Sequence, residues 1–188
     1  MISDACAELA AVLAYWFGEL SAAERFSGDP AIDAAIRDRF SDLHTAVAVG
    51  ECWKHRTTAR SALAEVIVLD QFSRHLFRGS AAAFAYDGQA LFLAQQLIAV
   101  GFDRELSTEE RLFAYLPFMH SESAQIHADA QPLFTALGDA EALKYEQIHK
   151  DIIDRFGRYP HRNAVLGRVS TSEEVAYLAN THEAFFNV

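Results

Sequence analysis

The sequence predicts an all-α protein, an array of antiparallel helical hairpins with about eight helices in one domain over residues 1–188. Three observations lead there. Apolar residues recur at steps of three and four through nearly every segment, start and stop residues bracket those segments, and no stretch alternates as a half-buried strand does.

Taken in order, Ser3 can cap a first helix whose stripe is Leu9, Val12, Leu13, Trp16 and Phe17, stopping near Gly18. Asp29 followed by Pro30 supplies a cap and a first helical residue for the second, with Ile32, Ile36, Phe40, Leu43 and Val47 on one face before Gly50. Thr57 or Thr58 opens a third helix running to about Phe77. Its apolar residues, from Leu63 to Leu76, cover most of the circumference, so it is expected at the centre.

A fourth helix starts at Ser80 or Asp87 and ends at Val100 before Gly101. Ser107 and Glu110 form a capping box for the fifth, which should bend or end around Pro117. The sixth spans Ser121 to Leu137 with a kink expected at Pro132, and Asp139 then caps a seventh that Gly157 closes. A second capping box, Thr171 with Glu174, opens the last helix.

Composition narrows the function classes. A 51% hydrophobic content with fourteen phenylalanines and two tryptophans supports a sizeable core in a chain of 188 residues. The formal net charge of -10 repels phosphate backbones and anionic lipid, which argues against a nucleic-acid or membrane-surface partner. No apolar run is long enough to span a bilayer, and the acidic start at Asp4 and Glu8 lacks the basic residues of a secretion signal. Cys6 and Cys52 lie far apart in helical patterns, so neither a disulfide nor a thiolate metal site is expected, and a reducing cytoplasm fits.

Against this acidic background the segment Phe156 to Arg168 concentrates Arg158, His161, Arg162 and Arg168 between two helical patterns. A charged loop of this kind, punctuated by Gly157 and Pro160, is expected to be an ordered functional loop. Its arginines, with Arg155, can fork onto inward-facing acids, for which Asp70 and Glu122 are the simplest candidates. Any arginine in excess of those acids would receive a small anion or an acidic peptide end, with His161 and Asn163 adding hydrogen bonds.

Asp70 and Arg74 are four apart on the central helix, in an apolar neighbourhood, and are expected to pair. They form either a buried bridge or, with Gln71, one wall of a ligand pocket. His120 and Glu122 suggest a general acid and base couple, since imidazole titrates near neutrality and a carboxylate can orient it; this is the hydrolase alternative. A third reading makes the whole polar cluster a buried salt-bridge network in an interaction module. Ser121 lacks the glycines of a nucleophile elbow, no HExxH or similar spacing indicates a metal, and no cofactor motif is present. His149, among Tyr145, Ile152 and Phe156, is expected to be a hydrogen-bonded core residue.

The motifs VLDQFSRHLFRG (Val68 to Gly79), YLPFMHSES (Tyr115 to Ser123) and FGRYPHRNAVLGR followed by STSEE, with AYWFGEL and GSAAAFAYD, resemble the bacterial family labelled domain of unknown function 924 over nearly the full length. The resemblance implies a tetratricopeptide-like helical fold and carries no activity, cofactor or catalytic residue. It directs attention to Asp70, Gln71, Arg74, His120, Glu122, Arg158, His161, Arg162 and Arg168. Ser73 stands where the family often has proline and His75 where it often has asparagine, so the motif is expected to run here as a smoother helix.

Overall fold

The computed structural model describes residues 5–180, and among them every regular element is helical. The α-helices are α1 (Leu9–Ala14), α2 (Ala22–Arg25), α3 (Pro30–Ala48), α4 (Ala59–Ile67), α5 (Ser73–Leu76), α6 (Asp87–Ala99), α7 (Thr108–Met119), α8 (Ala124–Leu137), α9 (Ala140–Phe156) and α10 (Ser172–Asn180). Two π-helical turns, Tyr15–Glu19 and Val68–Phe72, prolong α1 and join α4 to α5.

The local signals act where they were expected to. Asp29 accepts from the Ala31 amide with Pro30 in the first turn of α3, and the Ser107 and Glu110 capping box opens α7. The start left open between two threonines falls to Thr58, which forms a capping box with Ser61. Asp139 receives the Glu141 and Ala142 amides at the head of α9, and Thr171 and Glu174 exchange bonds before α10. Gly138 and Gly157 end α8 and α9 at φ 76° and 68°, a left-handed conformation that glycine adopts without a Cβ clash. The fourth helix begins at Asp87 rather than at Ser80, which instead precedes a short 3-10 turn, Ala81–Phe84. The cap expected at Ser3 lies outside the described residues.

The α4 segment is central, as its all-round hydrophobicity implies. Leu63, Val66, Ile67, Val68 and Leu69 are completely buried, and α4 packs against α1, α6 and α7. From α6 onward each helix packs on its successor through α9. The two π turns meet in an aromatic cluster where Trp16 and Tyr15 lie 5.6 and 6.5 Å from Phe72, with Phe113 also against Trp16. No helix among the described residues is long and apolar enough to cross a membrane.

Two expectations are corrected here. Cys6 and Cys52 form a disulfide, with Cα atoms 5.2 Å apart across a sequence separation of 46. Sequence distance says nothing about tertiary distance once α3 folds back, and the cysteine argument for a reducing compartment is thereby removed. The segment around Ser73 is continuous but not smooth. Val68–Phe72 is a π turn, a widening associated with functional sites, and it contains Asp70 and Gln71.

Candidate functional site

The π turn carries Asp70 into a completely buried position. A bare carboxylate there would be expensive, and three groups compensate it. His120 Nδ1 lies 2.7 Å from Oδ1, the Gln71 side-chain amide donates to Oδ2, and Arg74 Nη1 is 3.4 Å from Oδ1. Burial opposes ionisation of Asp70, but the electrostatic pull of His120 and then of Arg74, with the bonds from His120 and Gln71, wins and holds the carboxyl well below its usual range.

His120 is the C-cap of α7, its amide donating to Leu116 O at 2.9 Å. Burial and the nearby Arg74 guanidinium push its pKa down, against the opposing pull of Asp70. The Asp70 carboxylate can only accept, so Nδ1 carries the hydrogen it shares with that acid, and burial with Arg74 favours the neutral ring, whose lone pair is then on Nε2.

Arg74 connects this dyad to a second acid. Its guanidinium donates to Asp87 at 3.0 and 3.2 Å and also to the Asp70 carbonyl. Asp87 sits in the first turn of α6, where the helix dipole favours a carboxylate, and it also accepts from Arg162 Nη1 at 3.0 Å. The Arg162 guanidinium lies 4.5 Å from the Phe84 ring centroid and 4.6 Å from that of Tyr159, an arrangement that suits a planar, weakly hydrated cation.

A cavity of about 550 Å³ opens beside the dyad. Gln71, Arg74 and His120 line it with Leu112, Leu116 and Met119 of α7, and Arg25 and Phe26, which meet Glu109 and Phe113 nearer the start of α7, border it together with Arg78. His75, Tyr145 and His149 also border it. The His149 Nδ1–H donates to Tyr145 O at 2.8 Å, and burial pushes the ring down to about 4. His75 Nδ1 lies 2.7 Å from Asp33, which Arg78 also contacts at 2.8 Å.

Of the nine expected residues, Gln71, Arg74 and His120 face this cavity and Asp70 backs them. The others lie outside its lining. Glu122 is taken by Arg168, at 2.6 and 2.9 Å, and by the Tyr159 amide at 2.7 Å, so the acid that meets His120 is Asp70. Arg158 forks onto Glu174 at 2.6 and 2.8 Å and Arg155 pairs with Glu173, partners from α10 that sequence reasoning did not consider. Burial pushes His161 down to about 3, and its ring lies 5.4 Å from that of Tyr159. Each loop arginine thus meets a carboxylate. The anion expectation required a surplus of arginine, and these pairs supply none.

Sequence reasoning missed Asp87, Arg25, Arg78 and the cavity position of His149. Asp87 was read as a helix start alone. The signal for His149 was present, since it shares a stripe with Tyr145, but a helical wheel cannot tell a core face from a cavity wall.

The comparisons agree with this fold. The family described as "Bacterial protein of unknown function (DUF924)" matches residues 12–182. The solved structure of a protein of unknown function from Agrobacterium tumefaciens, ATU0120, superposes with a TM-score of 0.89 at 38% identity, covering 95% of this chain and 100% of that one. A search of the curated proteins finds no match. With nearly its whole length matched to the family and the same helical architecture in a solved relative, the chain belongs to the DUF924 family of bacterial proteins.

Proposed function

We propose that the chain is a small-molecule hydrolase in which His120, oriented by Asp70, is the general base. The observation that carries this reading is a completely buried carboxylate 2.7 Å from the Nδ1 of a histidine that borders a cavity. Asp70 fixes the tautomer, so that Nε2 is the basic atom. Nε2 takes a proton from a water molecule whose oxygen bonds to a substrate carbonyl carbon. The imidazolium so formed is stabilised by Asp70, and it returns the proton to the leaving oxygen or nitrogen as the bond from that atom to carbon breaks.

His120 is therefore both base and acid, oriented by Asp70 rather than by Glu122, and Glu122 serves to hold the 156–168 segment through Arg168 and the Tyr159 amide. Arg74, fixed by Asp87, places a positive charge beside the dyad and, with burial, favours the neutral imidazole.

Small-anion binding is the second reading, favoured by Arg25, Arg74 and Arg78 along one cavity. Those cations already face Glu109, Asp87 and Asp33, so an anion would compete with three carboxylates for them.

The test is a panel of esters and amides assayed with the parent and His120→Gln. The expected result is turnover by the parent and a loss of roughly 10²- to 10⁴-fold in the variant, with the urea midpoint retained. Because the neutral ring is the active form, kcat/KM should fall as pH drops through a value below the ordinary histidine range near 6.5. Turnover that survives His120→Gln rejects the assignment. Phosphate-dependent stabilisation with no hydrolysis of any panel member would favour the anion reading instead.

A further inference from the structure

We infer that the cavity takes a linear, uncharged apolar chain, so that the substrates of the proposed hydrolase are medium-chain acyl esters or amides with the scissile carbonyl at His120. The chemistry of cleavage rests on the general-base reading above. The chain-binding compartment rests on different residues.

The register along α7 favours an extended chain. Leu112, Leu116, Met119 and His120 lie at i, i+4, i+7 and i+8, one face of one helix, and all four border the cavity. Three apolar side chains therefore form a strip that ends at the basic nitrogen. Eight residues of helix rise about 12 Å. An extended hydrocarbon gains about 1.25 Å per carbon from its bond length and angle, so the strip matches a chain of roughly eight to ten carbons.

Phe26 borders the cavity and meets α7 at Phe113, seven residues before His120. It is 59% exposed, a large aromatic left in solvent. One of its faces is covered by Phe113, stacked with centroids 5.8 Å apart and an interplanar angle of 12°. Ala22 and Ala23 of α2, both exposed, line the cavity beside Phe26. An apolar chain leaving the strip would cover it.

Charge at the cavity favours a neutral chain. The cations that could hold an anionic tail there are committed, Arg25 to Glu109 at 2.6 Å and Arg78 to Asp33 at 2.8 Å. On the α9 side Asp139 and Glu141 border the cavity, and they would repel a free carboxylate or phosphate. A chain ending in an anion is disfavoured from both sides, whereas a neutral chain meets no charge repulsion.

The experiment separates the compartment from the chemistry. Primary alcohols from butanol to dodecanol, which contain no bond for the site to cleave, are titrated calorimetrically into the parent, His120→Gln and Ala23→Trp. Ala23 is exposed, so a tryptophan there narrows the mouth without entering the core. The expected result is affinity that rises about three- to fourfold per methylene and flattens near ten carbons, with the same dependence on chain length in the parent and His120→Gln, and that falls at least tenfold in Ala23→Trp. In parallel, kcat/KM for 4-nitrophenyl esters, acetate through dodecanoate, should follow the same dependence in the parent.

Alcohol binding that is flat with chain length, or untouched by Ala23→Trp, overturns the apolar compartment, even if short esters are hydrolysed through His120. Chain-dependent binding without ester turnover leaves the compartment standing and overturns the hydrolase.

Discussion

His120 and His127 lie seven residues apart and are built alike, each with Nδ1 against a completely buried carboxylate, Asp70 at 2.7 Å and Glu146 at 2.8 Å. They differ in what remains of the ring. His127 is wholly buried, and its Nε2 meets Ser121 O at 2.9 Å and the Tyr159 hydroxyl at 3.1 Å. Tyr159 in turn donates to Met119 O, so the network closes on the backbone. His120 keeps 16% of its side chain exposed and borders the cavity. A histidine with a carboxylate partner is a candidate base only when its second nitrogen has somewhere to act. The pair alone is as consistent with a packed core as with chemistry.

The comparison can be broken most decisively at the orienting acids. Asp70→Asn replaces the acceptor that fixes the His120 tautomer, and turnover should fall by about 10⁴-fold, close to 5.5 kcal/mol of barrier. Steady-state kinetics on the ester panel checks it, and a loss below tenfold would remove Asp70 from the mechanism. Glu146→Ala should act on stability instead. It strands His127 in a dry site at a cost of roughly 3 to 5 kcal/mol in urea unfolding, while turnover per folded molecule is unchanged. An equal effect on kcat would put both histidines in one functional unit.

Acid offers a third test, and its sign follows from burial. His44 and His149 are each pushed down to about 4 by desolvation, whereas an unfolded histidine takes up its proton near 6.5. The unfolded chain therefore binds protons first as pH falls, and stability should decline from about 6.5 toward 4, on the order of 3 kcal/mol per ring. His149→Gln should flatten this limb measurably. Unchanged acid sensitivity would mean that His149 is solvated at the cavity wall.

The smallest effect is expected at the loop edge. Arg155 and Glu173 are 53% and 61% exposed, so Arg155→Ala should change the urea midpoint by no more than about 0.5 kcal/mol and leave turnover alone. A larger loss would show that the 156–168 segment supports the cavity more directly than its ion pairs indicate.

The fold was legible because its signals are local. Asp29, Ser107, Asp139 and Thr171 cap the helices they precede, since a cap is satisfied by amides two or three residues away. The burial of α4 followed from its all-round hydrophobicity. The site was legible only in part. Asp70, Gln71, Arg74 and His120 were identifiable as polar residues in apolar surroundings, but their partners were not. Glu122 was nearer to His120 in sequence than Asp70, and it went to Arg168 because the loop reaches it.

What the sequence by itself determined, then, is helix, caps, a central α4 and a set of polar residues that had to find partners inside. Tertiary structure alone decided which partners those were. It joined Cys6 to Cys52, set Asp87 between Arg74 and Arg162, and left a cavity beside His120 while burying His127 completely. The physical reason is range. Capping and periodicity act within a turn or two of helix, whereas an ion pair, a disulfide or a void depends on where two distant segments come to rest, and many pairings satisfy the same local rules.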